Sequence, residues 1–144
     1  MDKILKIQGE IGVLSKTETN PFFRSKYLDI NGLLAQLLPL LEKHKITVMQ
    51  PLSYIQEWQA GVGGGNTSPA LRTIVKDGED GSIIIDDKIC LPNLQDPQKM
   101  GSAITYYRRY ALQSLFLLQA QDDDGESAKP SKKKKVEEDE DEPF

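Results

Sequence analysis

At Ile46 the spacing of apolar residues in this chain changes. Before it, Ile4, Ile7, Ile11 and Leu14, and then Ile30, Leu33, Leu34, Leu37, Leu38 and Leu41, recur every three or four positions. From it, Ile46, Val48, Leu52, Tyr54 and Trp58 fall mostly on one side of a two-residue alternation. The first spacing lines one face of a helix and the second one face of a strand. Helical spacing returns after Asp96-Pro97. A chain that passes from helical to strand period and back once has few ways to bury its apolar faces. An antiparallel sheet with helices packed on one face, an α+β fold, is the simplest.

The first helix is expected over residues 3–15. Asp29 is placed to cap the second, which should run to about Lys43 unless Pro39 bends it or ends it early. Residues 46–58 are expected as one long strand, with Pro51 marking an edge position or a bulge. A glycine-rich loop, "AGVGGGNTSP", should follow. "LRTIVKD", "GEDG" and "SIIIDDKICL" then read as a hairpin whose turn lies near Gly78 to Gly81, which makes three strands in all. Asp96 and Pro97 have the form of an N-cap followed by proline at the first helical position. No internal repeat is evident.

Length and charge limit the rest. The 144 residues, 38% hydrophobic and 28% charged, suit one domain with a modest core. The net charge of −4 is unevenly spread. Of 18 basic and 22 acidic residues, 5 and 10 lie in 122–144, which leaves 13 and 12 in a nearly neutral body. The expected division is therefore a folded body, 1–121, and a disordered charged tail, 122–144. No secretory signal or long apolar run is visible, and the single cysteine, Cys90, has no partner for a disulfide, so a cytoplasmic protein without membrane association is expected.

The stretch "GSAITYYRRYAL", 101–112, sets two arginines among tyrosines. On a helical wheel Met100, Ile104, Tyr107, Ala111, Leu115 and Leu118 form the core stripe. Ser102, Tyr106, Arg109, Tyr110 and Gln113 occupy the opposite side, and Arg108 lies on the flank. Rings beside guanidinium groups suit single-stranded nucleic acid, because unpaired bases stack on rings and arginine meets phosphate. The same residues also suit packing against a neighbouring element or subunit, with the arginines paired to carboxylates.

A second aromatic and basic cluster comprises Phe22, Phe23, Arg24, Lys26 and Tyr27. It reads either as a hydrophobic plug with solvated charges or as a binding element, with Arg24 and Lys26 the better candidates. Arg72 and Lys76 share one side of the middle strand, where they either line a groove or are simply exposed. No phosphate-binding loop of the Walker type is present, and "GVGGGN" lacks its lysine and helix start. His44 and Cys90 have no obvious partners for a nucleophile and base pair. Asp86 and Asp87 read as a strand-end or exposed pair. No catalytic centre, metal site or cofactor is expected, although Asp77, Glu79, Asp80, Asp86 and Asp87 are the crowd of carboxylates a nuclease would need.

Four blocks in order, "NPFFRSKYLDI", "LPLLEKHKITVMQ", "DPQKMGSAITYYRRYAL" and "DDDG", resemble the Erf (essential recombination function) family of phage single-strand annealing proteins. The resemblance covers about residues 5–125. It implies a β-β-β-α core, an oligomeric ring or filament, and binding and annealing of single-stranded DNA in homologous recombination without nucleotide hydrolysis. It carries backbone contact over to Arg108 and Arg109, and Lys99 at the start of the same helix is a further candidate for DNA contact. A phage exonuclease is a possible companion. The tip "EEDEDEPF" is similar to that of bacterial single-stranded DNA-binding proteins, which implies that Asp141, Glu142, Pro143 and Phe144 reach host genome-maintenance proteins. An oligomeric scaffold that recruits replication or repair factors through this tip is the alternative reading.

Overall fold

The computed structural model describes residues 2–16, 18–19, 26–57 and 65–120, with the side chains of 18, 19, 26, 27 and 57 left out. Among the described residues, three helices and one four-stranded antiparallel sheet make an α+β fold. The helices are α1 (Asp2–Ile11), α2 (Ile30–Lys43) and α3 (Pro97–Leu115). The sheet is built from β4 (Ile46–Met49), β5 (Leu52–Glu57), β6 (Asn66–Asp77) and β7 (Ile83–Cys90). Two short ladders complete it. One joins β1 (Val13–Leu14) in parallel to β8 (Gln119–Ala120), and the other joins β2 (Glu18–Thr19) to β3 (Lys26–Tyr27).

The expected long strand is present but interrupted. Met49 lies opposite Ile74 and Leu52 opposite Leu71, so β4 and β5 run along one edge of β6 without losing register. Pro51 has no N–H to donate, and it sits on an edge strand where its carbonyl still accepts from the Arg72 N–H at 3.1 Å. On the other edge β7 pairs with β6, with a bulge between Val75 and Lys76. The core is thus a three-step antiparallel meander followed by α3. Asp86 and Asp87 are an exposed pair, as one of the two expectations has it, in the middle of β7 rather than at a strand end.

The middle strand starts earlier than its sequence suggests. Asn66 to Pro69, expected in the glycine-rich loop, already belong to β6. Proline is tolerated there because the ladder asks only for its carbonyl, which accepts from Leu91 N–H at 2.8 Å. The hairpin turn falls where expected, and Gly81 takes a φ of +74° that favours glycine.

Helix ends also depart from expectation. Instead of running to residue 15, α1 stops at Ile11, where Gly12 turns the chain with φ +60° and Leu14 enters the core from β1. Asp29 caps α2 by accepting from Gly32 N–H at 2.6 Å. Pro39 does not end α2. The Ala35 carbonyl that it leaves without a helical donor lies on the exposed face, where water can bond it, while Leu33, Leu37 and Leu41 are buried on the other. Asp96 caps α3 as expected, with Pro97 at the first helical position and an acceptor contact to Gln98 N–H of 2.9 Å.

Along β6, Leu71, Thr73 and Val75 point toward the helices, while Arg72 and Lys76 alternate to the other face. Val75 packs with Ile4 and Ile7 of α1, Leu33, Leu37 and Leu41 of α2, and Leu112 and Phe116 at the end of α3. Leu71 joins a second cluster with Leu91 and Ala111. Between them lies a polar seam. Gln50 donates to Thr73 Oγ1 at 3.3 Å and to the Arg108 carbonyl at 3.2 Å, which satisfies a threonine only 3% exposed.

Candidate nucleic-acid interface

The expected core stripe of α3 faces the core and is wider than its sequence suggests. Ala111 is buried as expected, but Leu112 and Phe116 are buried too, whereas Met100, Ile104, Tyr107, Leu115 and Leu118 are only partly so. The helix also ends at Leu115, so Leu118 belongs to the segment leading into β8. Arg108 lies on the flank of this stripe, one turn before Leu112, at the edge of the core. Its guanidinium lies near Gln50 Oε1, with Nε at 3.5 Å, in a groove of about 620 Å³ between α2, α3 and β4. The walls of that groove are mainly leucine, with Glu42 at one side.

Arg109 leaves the helix on the other side. Its Nη1 donates to the Leu28 carbonyl at 2.8 Å, and its guanidinium carbon lies 5.0 Å from the centre of the Tyr110 ring and 5.6 Å from that of Tyr106. These distances are within cation–π range. The two rings are 4.3 Å apart and tilted by 43°, and each keeps about half its surface in solvent. The neighbouring Tyr110 hydroxyl holds the Tyr106 phenol above its ordinary pKa, so Tyr106 is neutral at pH 7. A hollow beside Arg109 and Tyr110 is also lined by Lys16, Leu28, Gln113 and Ala120. Lys99, seven residues before Tyr106, lies on the same side of α3 and is exposed.

Two of the other candidates are kept off this face. Arg72 and Lys76 stand on the sheet face turned away from α3. Arg72 is also gripped by Asp86, Nε to Oδ1 at 2.7 Å, which holds that carboxyl below the usual carboxylate range. Arg24, Phe22, Phe23 and the tail residues Asp141, Glu142, Pro143 and Phe144 lie outside the described residues. Lys26 is placed only by its backbone, in β3.

One reading of a titratable group is corrected. His44 has a partner after all, its Nε2 lying 3.0 Å from Glu10 Oε1, while Lys43 meets the other carboxylate oxygen at 2.7 Å. Of the carboxylates near the hairpin, Asp77, Glu79 and Asp86 are each paired with a cation. Lys3 ties Asp77 and Glu79 at 2.7 Å each, and Lys45 adds to Glu79 at 2.9 Å. Among the described residues no group of three or more His, Cys, Asp and Glu side chains is placed to hold a metal ion, and no helix is long and apolar enough to cross a membrane.

Lys16 and Gln50 were missed by sequence reasoning. Lys16 reaches the α3 face only because β1 pairs with β8, a contact that no periodicity announces. Gln50 is a polar residue at a strand interruption, and the neighbouring Pro51 was its only signal.

A three-strand meander followed by a helix that carries an exposed tyrosine and arginine surface defines an α+β protein with one aromatic, cationic face. The chain belongs to the ERF superfamily, whose family model matches residues 1–143. No match was found among the curated proteins or among the solved structures.

Proposed function

We propose that this chain binds single-stranded DNA along the exposed side of α3 and promotes annealing of complementary strands in recombination, without nucleotide hydrolysis. The observation that carries the reading is the placement of the Arg109 guanidinium beside the rings of Tyr106 and Tyr110, with Lys16 and Lys99 on the same side. Rings supply flat surfaces on which bases stack for roughly 1–3 kcal/mol each. Cations beside them meet phosphate and release counterions, which makes binding salt-dependent. Membership of the ERF superfamily supports recombination by strand annealing as the setting.

Mechanistically, neutralised phosphates let two matching strands approach, and base pairing supplies the free energy. Avidity over several protomers of a ring or filament offsets the small net charge of one body. Residues 1–121 would form the annealing domain, and Arg108 would extend the cationic surface from the opposite flank of α3. The tail from 122 onward, with Asp141, Glu142, Pro143 and Phe144, would serve partner proteins.

The deciding experiment mixes complementary oligonucleotides with the full chain without ATP and measures particle size before and after DNA is added. Accelerated annealing together with growth in particle size is expected. A chain that ignores oligo-dT in dilute buffer would end the proposal in favour of the scaffold reading.

A further inference from the structure

Two helices of this protein end on a left-handed residue that is not glycine. At the end of α2 it is Lys45 and at the end of α3 it is Leu117, each with φ 53°. Such positions favour glycine because a Cβ crowds the following carbonyl. Lys45 is accounted for within the chain. Its ammonium meets Glu79, and its carbonyl accepts from Gly78 N–H at 2.7 Å.

Leu117 has no such account. The helix end closes in the Schellman pattern, with Leu118 N–H donating to the Gln113 carbonyl at 2.8 Å and Leu117 N–H to the Ser114 carbonyl at 3.3 Å. Glycine would serve that geometry better. The leucine side chain is instead 73% exposed, more than any other large apolar side chain among the described residues. Neither packing nor backbone preference explains it, and strain held at an exposed site points outward.

The surroundings indicate what it meets. Leu117 lines a shallow hollow of about 550 Å³ with Tyr110, Gln113, Ser114, Leu118 and Ala120. Tyr110, Gln113 and Ala120 also line the adjoining hollow that contains Lys16 and Arg109. Among the residues lining the two hollows there are two cations and no acid. A nucleotide has matching parts, an anionic phosphate and a flat apolar base with a polar edge.

Resting on the proposed DNA-binding role of α3, we infer that its C-terminal end holds a subsite for one unpaired nucleotide. Lys16 and Arg109 take the phosphate, Tyr110 and Leu117 form the two walls about the base, and the Gln113 amide faces the base edge. Base-bearing strands are therefore preferred over bare backbone.

The test compares full-chain binding of a 15-residue oligo-dT with binding of an abasic deoxyribose-phosphate strand of the same length at low salt. The wild-type chain is expected to prefer oligo-dT about tenfold or more. Leu117→Gly should lower oligo-dT affinity about three- to tenfold and leave the abasic strand unaffected, while Tm rises by about 2–5 °C as strain is relieved. Leu117→Asn, which also tolerates the left-handed backbone, should discriminate as poorly as the glycine variant.

If the wild-type chain binds neither strand, the DNA-binding reading itself fails and the subsite with it. If it binds both equally, or if both Leu117 variants keep the preference for oligo-dT, the subsite is overturned while the DNA-binding role of α3 stands.

Discussion

Arg109 is held from two directions, by the Leu28 carbonyl at 2.8 Å and by the Tyr110 ring at 5.0 Å, so its guanidinium plane is oriented before any ligand arrives. Preorientation reduces the side-chain entropy lost on binding. Arg109→Ala is expected to weaken oligo-dT binding about tenfold at low salt and to flatten the dependence of affinity on salt, read by fluorescence anisotropy. Arg109→Lys should recover part of the affinity, since charge returns without the planar fork.

Gln50 joins the two halves of the core. Gln50→Ala removes the donor to Thr73 and the donor to the Arg108 carbonyl. It should cost about 1–3 kcal/mol in urea unfolding, because the threonine hydroxyl is left buried and less well satisfied. Thr73→Val in the same background should recover part of the loss, and its failure to do so would remove this explanation.

Acid should loosen the attachment of α1 to the hairpin. Hydrogen bonds from Lys3 hold Asp77 and Glu79 below their ordinary pKa values, with Lys45 adding to the effect on Glu79. A folded-state value lowered in this way contributes stability above the ordinary carboxylate range and loses it as pH falls through the folded-state values. The urea midpoint should therefore drop as pH falls from about 5 through and below the ordinary carboxylate range. Lys3→Met should lower the midpoint at pH 7 and make the acid drop smaller.

Gly78→Ala should destabilise the turn. A Cβ built there would lie 2.8 Å from the Lys45 carbonyl oxygen, a contact with backbone that cannot swing aside. A cost of about 1–3 kcal/mol is expected in thermal unfolding. Gly101→Ala, on α3 where a Cβ meets nothing within 4 Å, is the contrasting case and should be neutral or stabilising.

Elements with a strong local signal were legible in the sequence. Asp29 and Asp96 cap helices as their side chains dictate, and the change of period at Ile46 marks the first strand of the sheet. Tyr106, Arg109, Tyr110 and Gln113 share a face because the helical repeat requires it. What failed depended on partners distant in sequence. The burial of Leu112 and Phe116 beside the expected stripe of α3 follows from packing on α1 and α2, which a single-helix wheel does not contain. The separation of Arg72 from α3 follows from which face of β6 meets the helices. Pro39 and Pro69 misled because each lies where the missing N–H costs little.

The ladder between Val13 and Gln119 joins points about a hundred residues apart along the chain. The sheet from Ile46 to Cys90 can form as it leaves the ribosome, since β4, β5 and β7 each pair with β6, within about forty residues. The docking of Leu14 cannot, because the segment after α3 that it pairs with is synthesised more than a hundred residues later. Leu14 therefore waits until Ala120 has been made to complete the interior, and a ribosome stalled before residue 119 would hold a body whose α1 lacks its closing clasp.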